Sequence, residues 1–161
     1  MENLRDLAAR AGAALQKKGW MLSTAESLTG GSISQAITDI AGSSGWFDRG
    51  YVTYSNSAKT ECLHVSTDLL AKHGAVSVEV AAAMAAGALA NSHAQISLST
   101  TGIAGPAGAV PGKPVGTVCF GWAVGNHVET ERIIFSGDRH AVREQTAIHA
   151  LQGLLKFLEK N

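Results

Sequence analysis

Cysteine appears only twice in the 161 residues, at Cys62 and Cys119, with neither metal-ligand spacing nor enough thiols for a disulfide framework. An excess of one charge is missing too, since 13 lysines and arginines balance 13 aspartates and glutamates. Without a basic stripe or tail, nucleic acid is not expected as a partner. No apolar run approaches the length that spans a bilayer, and Met1-Glu2-Asn3-Leu4-Arg5-Asp6 has no signal-peptide core. A cytoplasmic protein with no membrane partner is therefore expected. The six histidines (His64, His73, His93, His127, His140 and His149) contain no His-x-x-x-His or His-Glu pair, so they read as surface or half-buried imidazoles. Neither a metal nor a cofactor is called for.

What is present suits a globular α/β chain. Hydrophobic residues make up 45% and there are 18 glycines, enough for a core and several tight turns. Leu4, Leu7, Ala8, Ala11 and Leu15 keep helical spacing, and Gly19 after two lysines predicts a C-cap. Trp20–Thr24 predicts a buried strand, and Ile33, Ile37 and Ile40 a second helix. Asp48–Tyr54 has the aromatic and β-branched bias of a strand, followed by a short helix over Ala58–Leu63. Ser66 and Ser77 cap two further helices, the second an alanine-rich run from Val78 to Asn91. Ile96–Thr100 predicts another strand, and Val115–Val124 and Val128–Phe135 a hairpin around Gly125-Asn126. Gly137-Asp138 opens a long last helix. Alternating strands and helices imply parallel pairing, while the hairpin adds antiparallel pairing. The expectation is a single three-layer α/β/α domain over residues 1–161, with a mixed, mainly parallel sheet of about five strands.

The most informative stretch is Thr24-Ala25-Glu26-Ser27-Leu28-Thr29-Gly30-Gly31, which places Ser27 where a strand stops and a helix begins. Such a spot offers unpaired backbone N–H groups to an anion or oxyanion. Either Ser27 or Thr29 caps the helix, or Ser27 is a nucleophile with oxyanion donors near Gly30 and Gly31. Two other segments end strands in the same way, Tyr54–Lys59 and Thr101–Gly105, and ligands of such sheets gather at carboxyl strand ends. Lys59 acts as a base only if burial or a cationic neighbour lowers its pKa; otherwise it is a solvated lysine. Tyr54 taken alone reads as a core aromatic with its hydroxyl at the rim. Gly108–Lys113 imitates a phosphate loop, but its glycine spacing is wrong and Pro114 replaces the hydroxyl residue. Arg139 and Arg143, four apart at a helix start, are either ion-pairing or solvated surface residues or a phosphate or carboxylate clamp.

In order along the chain, the octapeptide, Ile37-Thr-Asp-Ile-Ala-Gly-Ser-Ser, Phe47-Asp-Arg-Gly-Tyr-Val-Thr-Tyr-Ser-Asn-Ser-Ala-Lys and His73-Gly-Ala-Val-Ser are followed by Thr101-Gly-Ile-Ala-Gly-Pro, Lys113-Pro-Val-Gly-Thr-Val and Gly137-Asp-Arg-His-Ala-Val-Arg. As an ordered set they resemble the C-terminal domain of the competence/damage-inducible protein CinA. That resemblance implies deamidation of nicotinamide mononucleotide to nicotinate mononucleotide and ammonia, in pyridine nucleotide salvage. It implies a serine–lysine chemistry without metal, and assembly as a homo-oligomer, a dimer or larger. Carried over, Ser27 is the nucleophile and Lys59 and Tyr54 move protons. Glu26, Thr29, Gly30, Gly31, Asn56, Thr101, Gly102, Gly105, Arg139 and Arg143 would contact the substrate. The family often has cysteine where this chain has Leu28, and an acid where it has Ala107. The rival expectation is a nucleotide-binding interaction module that keeps the pocket without hydrolysis.

Overall fold

The chain runs α1 (Leu4–Lys18), β1 (Leu22–Glu26), α2 (Ser32–Thr38), β2 (Phe47–Val52), α3 (Asn56–Leu63), α4 (Thr67–His73), α5 (Val78–Ala90), β3 (Ile96–Gly102), β4 (Thr117–Val124), β5 (His127–Ile134) and α6 (Arg139–Lys160) in a computed structural model, which describes residues 2–161. The sheet has the order β2-β1-β3-β4-β5. The β2–β1 and β1–β3 pairings are parallel, and the β3–β4 and β4–β5 pairings antiparallel. Among the described residues, no helix is long and apolar enough to cross a membrane.

Each face of the sheet is covered, which gives the three expected layers. Leu22, Ile96, Leu98, Phe120 and Trp122 form one buried cluster with Leu7, Leu15, Ile37, Leu151 and Leu154 of α1, α2 and α6. Ala25 on the other face clusters with Leu63, Leu70, Val80 and Met84 of α3, α4 and α5. On this second face α5 lies close to the strands. Ser97 and Ser99 of β3 donate to the α5 carbonyls of Ala85 and Ala81, each at 2.6 Å, and Ser23 of β1 donates to that of Ala88 at 3.1 Å. A Cβ on Gly121 would stand 2.6 Å from the Ala81 carbonyl oxygen. Alanines on the helix and small residues on the strands are what such an approach requires.

The caps expected at Ser66, Ser77 and Asp138 are present, and Asn3 and Ser55 add two that the sequence did not single out. Asn3, Ser55, Ser66, Ser77 and Asp138 each accept a backbone N–H at the start of a helix. Strand β1 starts two residues later than the apolar run Trp20–Thr24 suggests. The reason lies in the preceding C-cap: Gly19 is left-handed at φ 69°, and the N–H groups of Gly19 and Trp20 are spent on the carbonyls of Gln16 and Leu15. Strand β2 likewise ends at Val52, so Tyr54 lies beyond it, and its side chain is 64% exposed rather than set in the core.

Candidate active site

Ser27 follows the last residue of β1, and its backbone is held on both sides. Its N–H donates to Thr100 O of β3 at 3.1 Å, and its carbonyl accepts the Gly30 N–H at 3.1 Å, closing a turn over residues 27–30. Helix α2 does not begin at this turn. It begins at Ser32, after Gly31 at φ 98°, and Gly31 provides no side-chain cap. The two glycines thus precede the helix, and neither Ser27 nor Thr29 caps it. The cap comes from Glu26, whose carboxylate accepts the N–H groups of Ile33 and Ser34 at 3.0 Å each and the Ser34 hydroxyl at 2.8 Å. Its seven-residue helix hangs on this carboxylate.

Lys59 projects from α3, which starts where Ser55 turns the chain after β2. Its side chain is 1% exposed, against the surface position expected of most lysines. Nζ donates to Thr53 O, Tyr54 O and Ser27 Oγ, each at 3.0 Å. Among the described residues no carboxylate pairs with it, and burial lowers its pKa from 10.5 to about 8. The two carbonyls fix its chemistry. A neutral amine has two N–H donors and one lone pair, so with both carbonyls engaged the lone pair is left facing Ser27 Oγ. Protonated, the same nitrogen donates its third N–H to that oxygen. The pair is therefore arranged for a proton to pass either way.

Ser27, Leu28, Tyr54, Asn56, Lys59, Ala75, Val76, Thr101, Gly102, Ala104 and Arg139 line a cleft of about 260 Å³ at the carboxyl ends of β1 and β3. A second hollow of about 470 Å³, lined by Pro106, Val115, Gly137, Asp138 and His140, shares Ala104 and Arg139 with it. Of the residues singled out from sequence, the structure thus brings Ser27, Tyr54, Asn56, Lys59, Thr101, Gly102 and Arg139 together around one cleft. Thr101 lends it a wall rather than a free hydroxyl, since Oγ1 donates to Ala75 O at 2.8 Å. Gly102 has no room for a Cβ, which would stand 2.8 Å from Val118 and 3.1 Å from Leu28.

Several expectations need correction. Glu26 and Thr29 are both 0% exposed and cannot touch a ligand. The carboxylate caps α2, and the Thr29 hydroxyl pairs with that of Thr100 at 3.0 Å. Gly30 and Gly31 do not line the cleft, and the Gly30 N–H is spent within the turn. The Leu28 N–H, by contrast, has no acceptor among the described residues, and Leu28 does line the cleft. Gly105 contributes its carbonyl, which takes Arg139 Nη1 at 2.9 Å, and not a cleft wall. The Tyr54 hydroxyl lies 3.4 Å from Arg139 Nη2, so it is the main-chain carbonyl of Tyr54 that reaches Lys59. Arg143 also lies outside the lining. The sequence reading missed Ala75 and Val76 between α4 and α5, although they sit inside the His73-Gly-Ala-Val-Ser segment that carried the resemblance. Among the described residues, no group of three His, Cys, Asp or Glu side chains could hold a metal ion.

A three-layer α/β chain with a buried serine–lysine pair at its strand ends thus defines the class. The family model "CinA C-terminal domain" matches residues 4–158, so the chain belongs to the CinA C-terminal domain family. It is 53% identical over 161 residues to the nicotinamide-nucleotide amidohydrolase PncC of Enterobacter agglomerans, a match covering 99% of this chain and 98% of that protein. The nicotinamide-nucleotide amidohydrolase PncC of Pseudomonas putida is 51% identical over 157 residues, covering 98% of each. Among solved structures, the competence/damage inducible protein CihA from Agrobacterium tumefaciens superposes with a TM-score of 0.94 at 42% identity, over 99% of this chain and 97% of that one. The competence damage-inducible protein A from Klebsiella pneumoniae gives 0.95 at 39% identity, over 98% of each.

Proposed function

We propose that this chain deamidates nicotinamide mononucleotide to nicotinate mononucleotide and ammonia, as an amidohydrolase of pyridine nucleotide salvage. Near-full-length identity to relatives of that name supports the substrate. The observation that carries the chemistry is Lys59 Nζ held 3.0 Å from Ser27 Oγ, buried and without a carboxylate partner.

In the proposed reaction Ser27 Oγ attacks the carboxamide carbon while its proton moves to Lys59 Nζ. The Leu28 N–H, which follows the nucleophile and has no acceptor among the described residues, donates to the oxygen that becomes negative. The C–N bond then breaks, and the Lys59 ammonium returns the proton to nitrogen, which leaves as ammonia. Water attacks the acyl ester next, giving a proton to Lys59. Ser27 Oγ leaves the acyl carbon and takes that proton back. The nicotinic acid group formed gives its own proton to solvent, where ammonia takes it up, so that nicotinate mononucleotide departs as the carboxylate. Proton transfer rests on Lys59, while the Tyr54 hydroxyl, paired with Arg139, serves the substrate side of the cleft. Arg139 and Asn56 bind the ribose phosphate or the ring. Family likeness also supports a homo-oligomer, a dimer or larger, which sedimentation of the purified chain tests.

Ammonia release from the mononucleotide is the decisive assay. Turnover that disappears in Ser27→Ala supports the reading. Tight nucleotide binding with no ammonia released would instead favour the non-catalytic binding module.

A further inference from the structure

Arg143 sits one turn along α6 from Arg139, yet the two guanidinium groups face different tasks. Arg143 Nε donates to Leu28 O at 2.9 Å and Nη2 reaches Thr29 O at 3.5 Å. These carbonyls belong to the turn that follows the nucleophile. In a four-residue turn the middle peptide is the one whose rotation converts one turn type into another, and here it joins Leu28 to Thr29. The rotated form needs positive φ at Thr29, and His64 is the sole non-glycine residue with positive φ among the described residues. The Leu28 carbonyl is thus held in one orientation by a charged donor from another element. The peptide before it is fixed by the Gly30 N–H on Ser27 O. Gly30, at φ 61°, leaves room for the guanidinium, since a Cβ there would stand 3.3 Å from Arg143 Nη2.

We propose that Arg143 is a positioning residue that braces the turn carrying Ser27 and the Leu28 N–H, and is not a phosphate ligand. The inference rests on the amidohydrolase reading of the same site. Both backbone flanks of Leu28 are pinned, one by the turn's own bond and one by Arg143, so its free N–H keeps a single direction. Loss of the brace impairs the chemical step more than binding, because misplacement of this kind acts on transition-state contacts.

The test compares Arg143→Ala, Arg143→Lys and Arg139→Ala with the native chain, for turnover of the mononucleotide and for labelling of Ser27 by a fluorophosphonate. Arg143→Ala is expected to lower kcat by roughly 30- to 100-fold with KM within about twofold. Millimolar guanidinium should restore part of the lost kcat, and Arg143→Lys should fall between, since one ammonium can serve one carbonyl. Labelling of Ser27 should slow in parallel, and a melting curve checks the fold. If Arg143→Ala does not fold, the kcat and KM of Arg143→Lys decide. A raised KM with kcat retained, or unchanged kcat and labelling, overturns the brace while leaving the amidohydrolase standing. A native chain that neither releases ammonia nor is labelled fails at the earlier step and removes both.

Discussion

Two buried charges flank Ser27, and the fold treats them in opposite ways. On the α2 side the Glu26 carboxylate is 0% exposed and accepts three hydrogen bonds, two from backbone N–H groups at the start of the helix and one from Ser34. On the α3 side the Lys59 ammonium is 1% exposed and meets only neutral oxygens. Thr53, whose carbonyl takes Lys59, also has the one buried side-chain polar atom without a partner among the described residues, Oγ1. Charge-assisted bonds to N–H donors stabilise a carboxylate where it is and fasten a helix. An ammonium with no counter-charge is disfavoured relative to the amine. The well-served charge is structural, and the poorly served one is available for chemistry.

The largest effects separate the two sides by activity. Ser27→Ala and Lys59→Ala should each lower kcat by about 10³ or more, with the double variant scarcely worse than either single, since paired groups of this kind are strongly non-additive. Multiplicative losses would mean that Lys59 acts on the substrate independently of Ser27.

Stability against pH sharpens the same contrast. The folded pKa of Lys59, about 8, lies below its unfolded value of 10.5, so between these two the unfolded chain binds more protons. The penalty is complete below pH 8 and fades as pH rises towards 10.5. Relative to Lys59→Met, the native chain should therefore gain roughly 3 kcal/mol of unfolding free energy between pH 7 and 10.5, measured by urea denaturation. Parallel curves would show that the ammonium is not disfavoured in the fold.

Glu26 should behave conversely. Glu26→Ala strands two N–H groups and is expected to cost about 2–3 kcal/mol of stability while leaving KM for the mononucleotide within about twofold. A marked rise in KM without loss of stability would return Glu26 to the substrate. The smallest effect is expected of Tyr54→Phe, which keeps the carbonyl that aims Lys59 and should lower kcat/KM by only about 3- to 10-fold. A loss as large as that of Lys59→Ala would restore the phenol to the proton path.

Much of this was legible in the chain before folding. Local signals gave the helix caps at Ser66, Ser77 and Asp138 and the Gly125-Asn126 hairpin, because each acts within a few residues. The three strand-end segments were visible as polar interruptions and do meet in space. What escaped was set by contacts distant in sequence. The burial of Lys59 depends on α3 folding back over the end of β1, 32 residues away, and composition alone favours an exposed lysine. The capping role of Glu26 was hidden because its helix begins six residues later, too far for a local cap pattern. Arg143 offered only a charge at a helix start, while its partners lie 114 and 115 residues earlier.

Whether the disfavoured Lys59 ammonium yields the amine that serves Ser27 as base is read from the pH dependence of kcat/KM for the mononucleotide. A limb is expected that rises through about pH 8, where Lys59 loses its proton, and then levels off. In Lys59→Ala the residual activity should lack that limb. A rising limb near pH 8 that survives in Lys59→Ala would place the base elsewhere in the cleft and remove Lys59 from that role.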